Sequence, residues 1–208
     1  MVHRVHSDLD PAFSELVRIY SESHPESERK PACMLSSMIR RPEYIFLVAL
    51  QDHLVVGFSI TLCFLGSDAA LLEYMAVAPD RRSRGIGQVL FEETVKFEEA
   101  SERYVLMEVD SDKGQSSDKT DRTRRKSFYK RLGCREIGGL SYIMPPVSNS
   151  MPPAMDILVY RRELPDIVEK SHLRNWLESC YIQVYEIPAS DFRIKVMIES
   201  LPDTLRLI

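Results

Sequence analysis

Cysteine, glycine and long apolar runs are all scarce in this sequence. The four cysteines, at 33, 63, 134 and 180, lie far apart and show no metal-ligand spacing. Neither a disulfide framework nor a zinc site is expected, and reduced thiols of a cytoplasmic protein are the simpler reading. No apolar stretch approaches the roughly 20 residues that span a bilayer, and the N-terminus lacks a secretion-signal pattern. Excess positive charge is missing too. Lys and Arg number 27 against 31 Asp and Glu, for a net charge of −4, which does not favour non-specific binding to nucleic acid. Repeats and low-complexity tracts are absent. What is present, 44% hydrophobic and 28% charged residues over 208 positions, suits a globular chain with one well-cored domain and an appendage.

The richest stretch is Leu71–Lys96, LLEYMAVAPDRRSRGIGQVLFEETVK. Leu71 to Ala78 is an apolar run of strand length, stopped by Pro79 and Asp80. Arg81 to Gly87 form a basic turn with two glycines. Ile86, Val89, Leu90, Val95 and Phe97 then supply an apolar helix face, with Glu92, Glu93 and Lys96 on the wet side. The first N–H groups of a helix have no partner inside it, and the helix dipole favours negative charge there. Gly85 and Gly87 allow close backbone approach, while Arg81, Arg82 and Arg84 add positive charge. A pyrophosphate suits such a turn; a solvated basic turn ahead of an ordinary helix suits the same residues. It is neither the dinucleotide fingerprint nor a P-loop.

Val77-Ala78-Pro79 followed by Arg82-x-x-Gly85-x-Gly87 resembles the acetyl-coenzyme A site of the GNAT acetyltransferases, and Phe128-Tyr129-x-x-Leu132-Gly133 resembles a second feature of that family. The resemblance covers about residues 1–160. It implies an α/β (α+β) fold, a mixed, mostly antiparallel central sheet flanked by helices, with 161–208 as a C-terminal extension. It implies that Arg82, Ser83, Arg84, Gly85, Ile86, Gly87 and Gln88 hold the coenzyme. It also implies that a backbone N–H in Met75, Ala76 and Val77 polarises the thioester carbonyl, and that Tyr129 protonates the departing sulfur. Packing beside Phe128 is the plain alternative for Tyr129.

Along the rest of the chain, Met1–His6 reads as a short strand. Asp10-Pro11 starts a helix whose Phe13, Leu16, Val17 and Tyr20 share a face. His24-Pro25 ends it, and Pro31 opens another through Ile39. The segment between the first two strands, where the family often builds part of the acceptor site, makes His24 and the charged run 26–30 either substrate-facing or a solvated loop. Tyr44–Leu50 and Leu54–Leu65 form a hairpin, with Gly57 a bulge or a close approach. Gly66-Ser67-Asp68 is a turn, Tyr104–Val109 a strand, 110–121 a polar loop and Thr123–Leu132 a basic helix closed by Gly133. Glu136–Met144 and Ala154–Tyr160 read as strands around an irregular Pro/Ser-rich segment, residues 145–153. In the tail, a helix over about 167–177 precedes a strand-like Tyr181–Ile187 and an ambiguous Arg193–Leu201. Its apolar set Trp176, Leu177, Tyr181, Ile182 and Val184 suits a lid, a homodimer contact or an extension of the fold.

Direct acetyl transfer to an amine needs a base for the amine, a polariser for the carbonyl and an acid for the thiolate. Strand alternation places Leu71, Glu73, Met75 and Val77 on one face. A carboxylate there is costly to bury unpaired, so Glu73 is either a sheet-edge residue in water or the base. Glu108, where some family members place a base, is the rival, and either could act through a water. Two departures from the family stand out. Arg122 replaces a usual asparagine, and Cys134 replaces a phenylalanine. Arg122, Arg125 and Lys126 share the helix face of Tyr129, which suits coenzyme phosphate, an anionic acceptor group or a solvated face. The resulting expectation is an acyl-CoA-dependent N-acyltransferase that moves acetyl from acetyl-CoA, its co-substrate, to a small-molecule amine. No metal, nucleic-acid partner or membrane is expected. A longer acyl donor, an inactive coenzyme A-binding regulatory module and protein acetylation are the alternatives.

Overall fold

The structure, a computed structural model, describes residues 1–24, 29–97, 102–115, 117–146 and 152–208. The parts of the expected loops at 25–28, Ser116 and 147–151 lie outside the described residues. The chain has a mixed α/β fold whose mostly antiparallel seven-stranded sheet is flanked by helices, as the sequence implied. It divides into two compact units, one built from Met1–Cys63 and Ala70–Ser101, the other from Phe64–Ala69, Glu102–Pro146 and Met151–Ile208. No helix among the described residues is long and apolar enough to cross a membrane.

The first unit runs β1 (Val2–Val5), α1 (Pro11–Ser23), a 3-10 turn (Ala32–Met34) leading into α2 (Leu35–Met38), β2 (Tyr44–Gln51), β3 (Leu54–Cys63), β4 (Ala69–Val77) and α3 (Ile86–Lys96). Its strands lie in sequence order and pair antiparallel. Asp10 caps α1 as its position predicts: the side chain accepts from the Ala12 N–H at 2.9 Å. The β2–β3 hairpin closes on Asp52 and His53, which adopt φ of 51° and 64°. Both central residues left-handed is the two-residue turn whose twist matches the strands. On β3 the side chains alternate between helices. Phe58 meets Tyr20 of α1, ring centroids 6.1 Å apart, and Ser59 shares a buried 2.7 Å hydrogen bond with Thr94 of α3. Gly57 is a close approach: a Cβ there would stand 2.9 Å from the Ala76 carbonyl oxygen of β4.

The second unit holds β5 (Tyr104–Asp110), α4 (Lys119–Arg131), β6 (Arg135–Glu136), β7 (Met155–Tyr160), β8 (Ile167–Glu169), α5 (Lys170–Gln183), α6 (Phe192–Glu199) and β9 (Thr204–Arg206). β7 pairs antiparallel with both β5 and β6, and β8 with β9. Gly133, with φ of 91°, ends α4 as expected. Two expectations need correction, and one left open is decided. The strand expected over 136–144 is only the two-residue β6, prolonged by a bridge from Ile137 to Leu207 and by paired bonds between Glu136 and Ile208. Tyr181–Ile187 is not a strand, because α5 runs through Gln183. Leu173, Trp176, Leu177, Cys180, Tyr181 and Val184, all buried, continue one helical stripe past the point where β-prone residues suggested a change of period. The ambiguous segment near 193 is helical.

Trp176 anchors the tail. It is 0% exposed, donates from Nε1 to Asp68 Oδ1 at 2.8 Å and packs on Tyr104 with centroids 4.8 Å apart. Trp176→Ala is expected to cost about 3–5 kcal/mol, the usual range for emptying a large aromatic site. A lowered denaturant midpoint with an unchanged slope is the measurement.

Lys126 is the other pillar of this unit. Its side chain, 6% exposed, stands 2.7 Å from Asp156, 2.9 Å from Glu136 and 3.0 Å from Asp112. Lys113 bridges Glu136 and Asp156 from the outside at 2.7 and 2.9 Å. Burial alone would lower the Lys126 pKa, but the hydrogen bonds to Asp156, Glu136 and Asp112 outweigh it and raise the value above its ordinary 10.5. Burial likewise opposes ionisation of Glu136 and Asp156, and their lysine partners win and lower both. The stabilisation from the depressed carboxylates is present above their unfolded pKa and is lost as pH falls through their folded values. That from Lys126 is present below its unfolded value and is lost only as pH rises through the raised one. Lys126→Met leaves buried carboxylates facing one another and is expected to cost about 3 kcal/mol. The deficit should be largest near neutral pH and shrink as pH falls and the two carboxylates are protonated, read by denaturation followed by circular dichroism across a pH series.

Candidate active site

β4 and the turn after it lie within the first unit. β4 ends at Val77, Pro79–Arg81 form a 3-10 turn, and the chain reverses through Ser83 and Gly85 at φ of 62° and 78°. Gly85 is the N-cap of α3, and a Cβ there would meet nothing within 4 Å. The position is therefore open, and its left-handed backbone is what favours glycine. The first helical bond runs from Val89 N–H to Gly85 O at 3.1 Å. The N–H groups of Ile86, Gly87 and Gln88 thus precede the ladder, as the first turn of a helix requires. Arg82 and Arg84 are exposed beside them. Arg82 Nε donates to the Val77 carbonyl at 3.1 Å, tying the turn to the strand end. Gln88 reaches Glu92 at 2.9 Å. An eleven-residue helix with a glycine entry and flanking arginines fits a pyrophosphate. One detail of α3 differs from expectation: Val89 is 48% exposed, and the buried face is Leu90, Phe91, Thr94 and Val95.

Met75, Ala76 and Val77 pair with Ser59, Phe58 and Gly57 of β3, and the register slips just before them. Ile60 pairs with Tyr74 and Thr61 with Leu72, so Glu73 is the extra residue of a bulge. The simple alternation expected from Leu71 to Val77 is broken there, and a bulge re-aims the side chain it carries. Glu73 is therefore not a sheet-edge residue in water. Its side chain is 5% exposed, Lys30 Nζ lies 2.7 Å from Oε1, and the Tyr44 hydroxyl donates to Oε2 at 3.1 Å. Tyr20, Tyr74 and His24 form an aromatic wall nearby, with Tyr20–Tyr74 centroids 4.9 Å and His24–Tyr74 centroids 5.3 Å apart. Burial pushes the Tyr20 phenol up to about 12. Burial and then the Glu73 charge raise Tyr44 and Tyr74 as well.

In the second unit, Tyr129 is buried on α4 beside Phe128, centroids 5.1 Å apart. Burial pushes its phenol well up, with Cys134 adding to the rise and Arg125 opposing it. Cys134 is buried, its thiol pushed up to about 12, and its sulfur contacts Met107 Sδ at 3.8 Å. Arg122, Arg124, Arg125, Lys126 and Lys130 of this helix have carboxylate partners within the chain. Arg122 pairs with Asp118 at 2.9 Å, Arg125 with Asp110, and Lys126 is locked in the network described above. Lys126 is thereby removed from the candidate ligand-binding residues. Glu108 accepts hydrogen bonds from Tyr142 and, at 2.7 Å, from Tyr185, with Cys180 Sγ at 3.8 Å. Glu73 and Glu108 thus differ in kind: one already holds an ammonium, the other holds two phenols. Lys30 was picked out only as the end of the charged run 26–30, and Tyr44, Tyr142 and Tyr185 went unnoticed in the sequence, where no spacing links any of them to either carboxylate.

Residues 42–136 match the family model for the acetyltransferase (GNAT) domain. Over that stretch the chain is similar to the GNAT acetyltransferases, the class of acyl-coenzyme A-dependent acetyltransferases. Solved structures share the fold. A GNAT-family protein from Bacteroides thetaiotaomicron superposes with a TM-score of 0.73 at 19% identity, over 90% of this chain and 99% of its own. An aminoglycoside 6′-N-acetyltransferase complexed with coenzyme A gives 0.59 at 21% identity, over 80% and 99%. The ribosomal-protein-S18-alanine N-acetyltransferase of Escherichia coli gives 0.54 at 18%, over 79% and 99%. No curated protein sequence matches the chain significantly.

Proposed function

We propose that the chain transfers the acetyl group of acetyl-coenzyme A directly to the primary amine of a small-molecule acceptor. The observation that carries this is Glu73: on the strand leading into the glycine turn, a buried carboxylate holds a primary ammonium at 2.7 Å. That is the contact an amine acceptor needs before it loses its proton. In this reading Arg82–Gln88 hold the pyrophosphate, with Arg122 and Arg125 as further anion ligands. A backbone N–H among Met75–Val77 polarises the thioester carbonyl, Glu73 serves as the base, and Tyr129 returns a proton to sulfur. Glu108, already accepting from two phenols, is the alternative base and ties together distant segments of the second unit. The fold neighbour complexed with coenzyme A supports the choice of donor.

A panel of primary amines, assayed for free-thiol release from acetyl-coenzyme A, tests the reading. Amine-dependent release that disappears in Glu73→Gln is the expected result. Tight binding of acetyl-coenzyme A by calorimetry, with no amine accepted, would replace it with a coenzyme-binding module. Turnover only with a longer acyl-coenzyme A would change the donor and leave the site as assigned.

A further inference from the structure

We propose that Lys30 is an acetyl acceptor of its own chain, its ε-amine being delivered to Glu73 within the first unit. The inference rests on the assignment of the Arg82–Gln88 turn as the coenzyme site. Lys30 is fixed at three points. Its Nζ lies 2.7 Å from Glu73 Oε1, its backbone N–H donates to the Tyr74 hydroxyl at 3.3 Å, and its carbonyl accepts from the Tyr20 hydroxyl at 2.9 Å. Lysine side chains normally remain in water because burying an ammonium is costly. This one is 14% exposed, against a carboxylate that is 5% exposed. Holding a charged pair in so dry a place sets the amine in position before any ligand arrives, which removes entropy that a free acceptor must lose on binding. Glu73 precedes Met75 by two residues, about 7 Å along a strand, so the ammonium is anchored on the strand whose end is assigned to the thioester.

The step balances without any further reactant. Glu73 takes a proton from the Lys30 ammonium, and the freed lone pair attacks the thioester carbonyl. The C–N bond forms, the C–S bond breaks, the thiolate leaves and is protonated, and one proton passes to solvent. The product is a neutral amide that can no longer pair with Glu73. Acetylation of Lys30 therefore takes the resident amine off the carboxylate and makes Glu73 available to an incoming acceptor.

The test is to incubate the purified full chain with acetyl-coenzyme A alone, then digest it and locate acetyl groups by mass spectrometry. The expected result is one acetyl group on Lys30, formed at a first-order rate that does not depend on protein concentration. It should be absent from Glu73→Gln and Gly87→Asp, each shown to be folded by its melting curve. If Lys30 stays unmodified while calorimetry shows coenzyme bound, the inference is overturned and the coenzyme site stands. If no coenzyme binds, both fall. Equal acetylation of Lys30 in Gly87→Asp would show simple chemical acetylation, and a rate rising with protein concentration would show transfer between chains; either result overturns the proposal.

Discussion

Gly85→Asp and Gly87→Asp are each expected to lower affinity for acetyl-coenzyme A by about 10²–10³-fold. A new carboxylate about 4 Å from a phosphate charge costs about 4 kcal/mol at an effective dielectric near 20. Because the turn is exposed, solvent screening removes part of that, and each 1.4 kcal/mol retained is about tenfold in affinity. The two variants differ in a useful way. At Gly85, φ of 78° means that any side chain also strains the turn. Gly87 lies inside the first helical turn and has no positive φ, so its substitution tests the side chain and its charge without straining the turn. Gly87→Ala is the control: it adds a methyl group without a charge and should lose far less than the aspartate. Calorimetry on the folded variants measures both. Unchanged affinity in the two aspartate variants would remove the turn from the coenzyme site.

The elements legible in the sequence were those specified locally. The cap at Asp10, the turn at Asp52-His53, the stop at Gly133 and the glycine entry to α3 each depend on a few adjacent residues. The illegible features depend on pairing between distant segments. The bulge at Glu73 belongs to the register of β4 on β3 rather than to β4 itself, and alternation counted along one strand cannot reveal it. Tyr142 and Tyr185 reach Glu108 across 34 and 77 residues, and no motif spans such gaps. The start of α4 at Lys119 was hidden by its composition, since only Lys126 and Tyr129 of its thirteen residues are buried. An apolar period cannot be read from a helix whose inner face is centred on a lysine. α5 shows the opposite failure. Its apolar stripe was present in the sequence, and the β propensity of Tyr181, Ile182 and Val184 obscured it.

Tyr129→Phe carries the second large expected effect: turnover falls by about 10²–10⁴-fold, the range for loss of a general acid, while coenzyme affinity changes little. The substitution removes one hydroxyl and keeps the ring that packs on Phe128, so stability should change by only about 1 kcal/mol. The acid role is chemically consistent with burial. A phenol pushed above its ordinary value of 10 remains protonated throughout the neutral range and can supply a proton to a departing thiolate. The sign of the pH effect follows. An acid must carry its proton to work, so the alkaline fall in turnover due to Tyr129 lies above the ordinary tyrosine range, and wild-type kcat should show no such limb between about pH 8 and pH 10. Single-turnover measurement with a saturating amine separates this step from product release. Turnover within about threefold of wild type would reduce Tyr129 to a packing residue. Proton delivery to the thiolate would then pass to water, and the site would retain Glu73 and the glycine turn as its working parts.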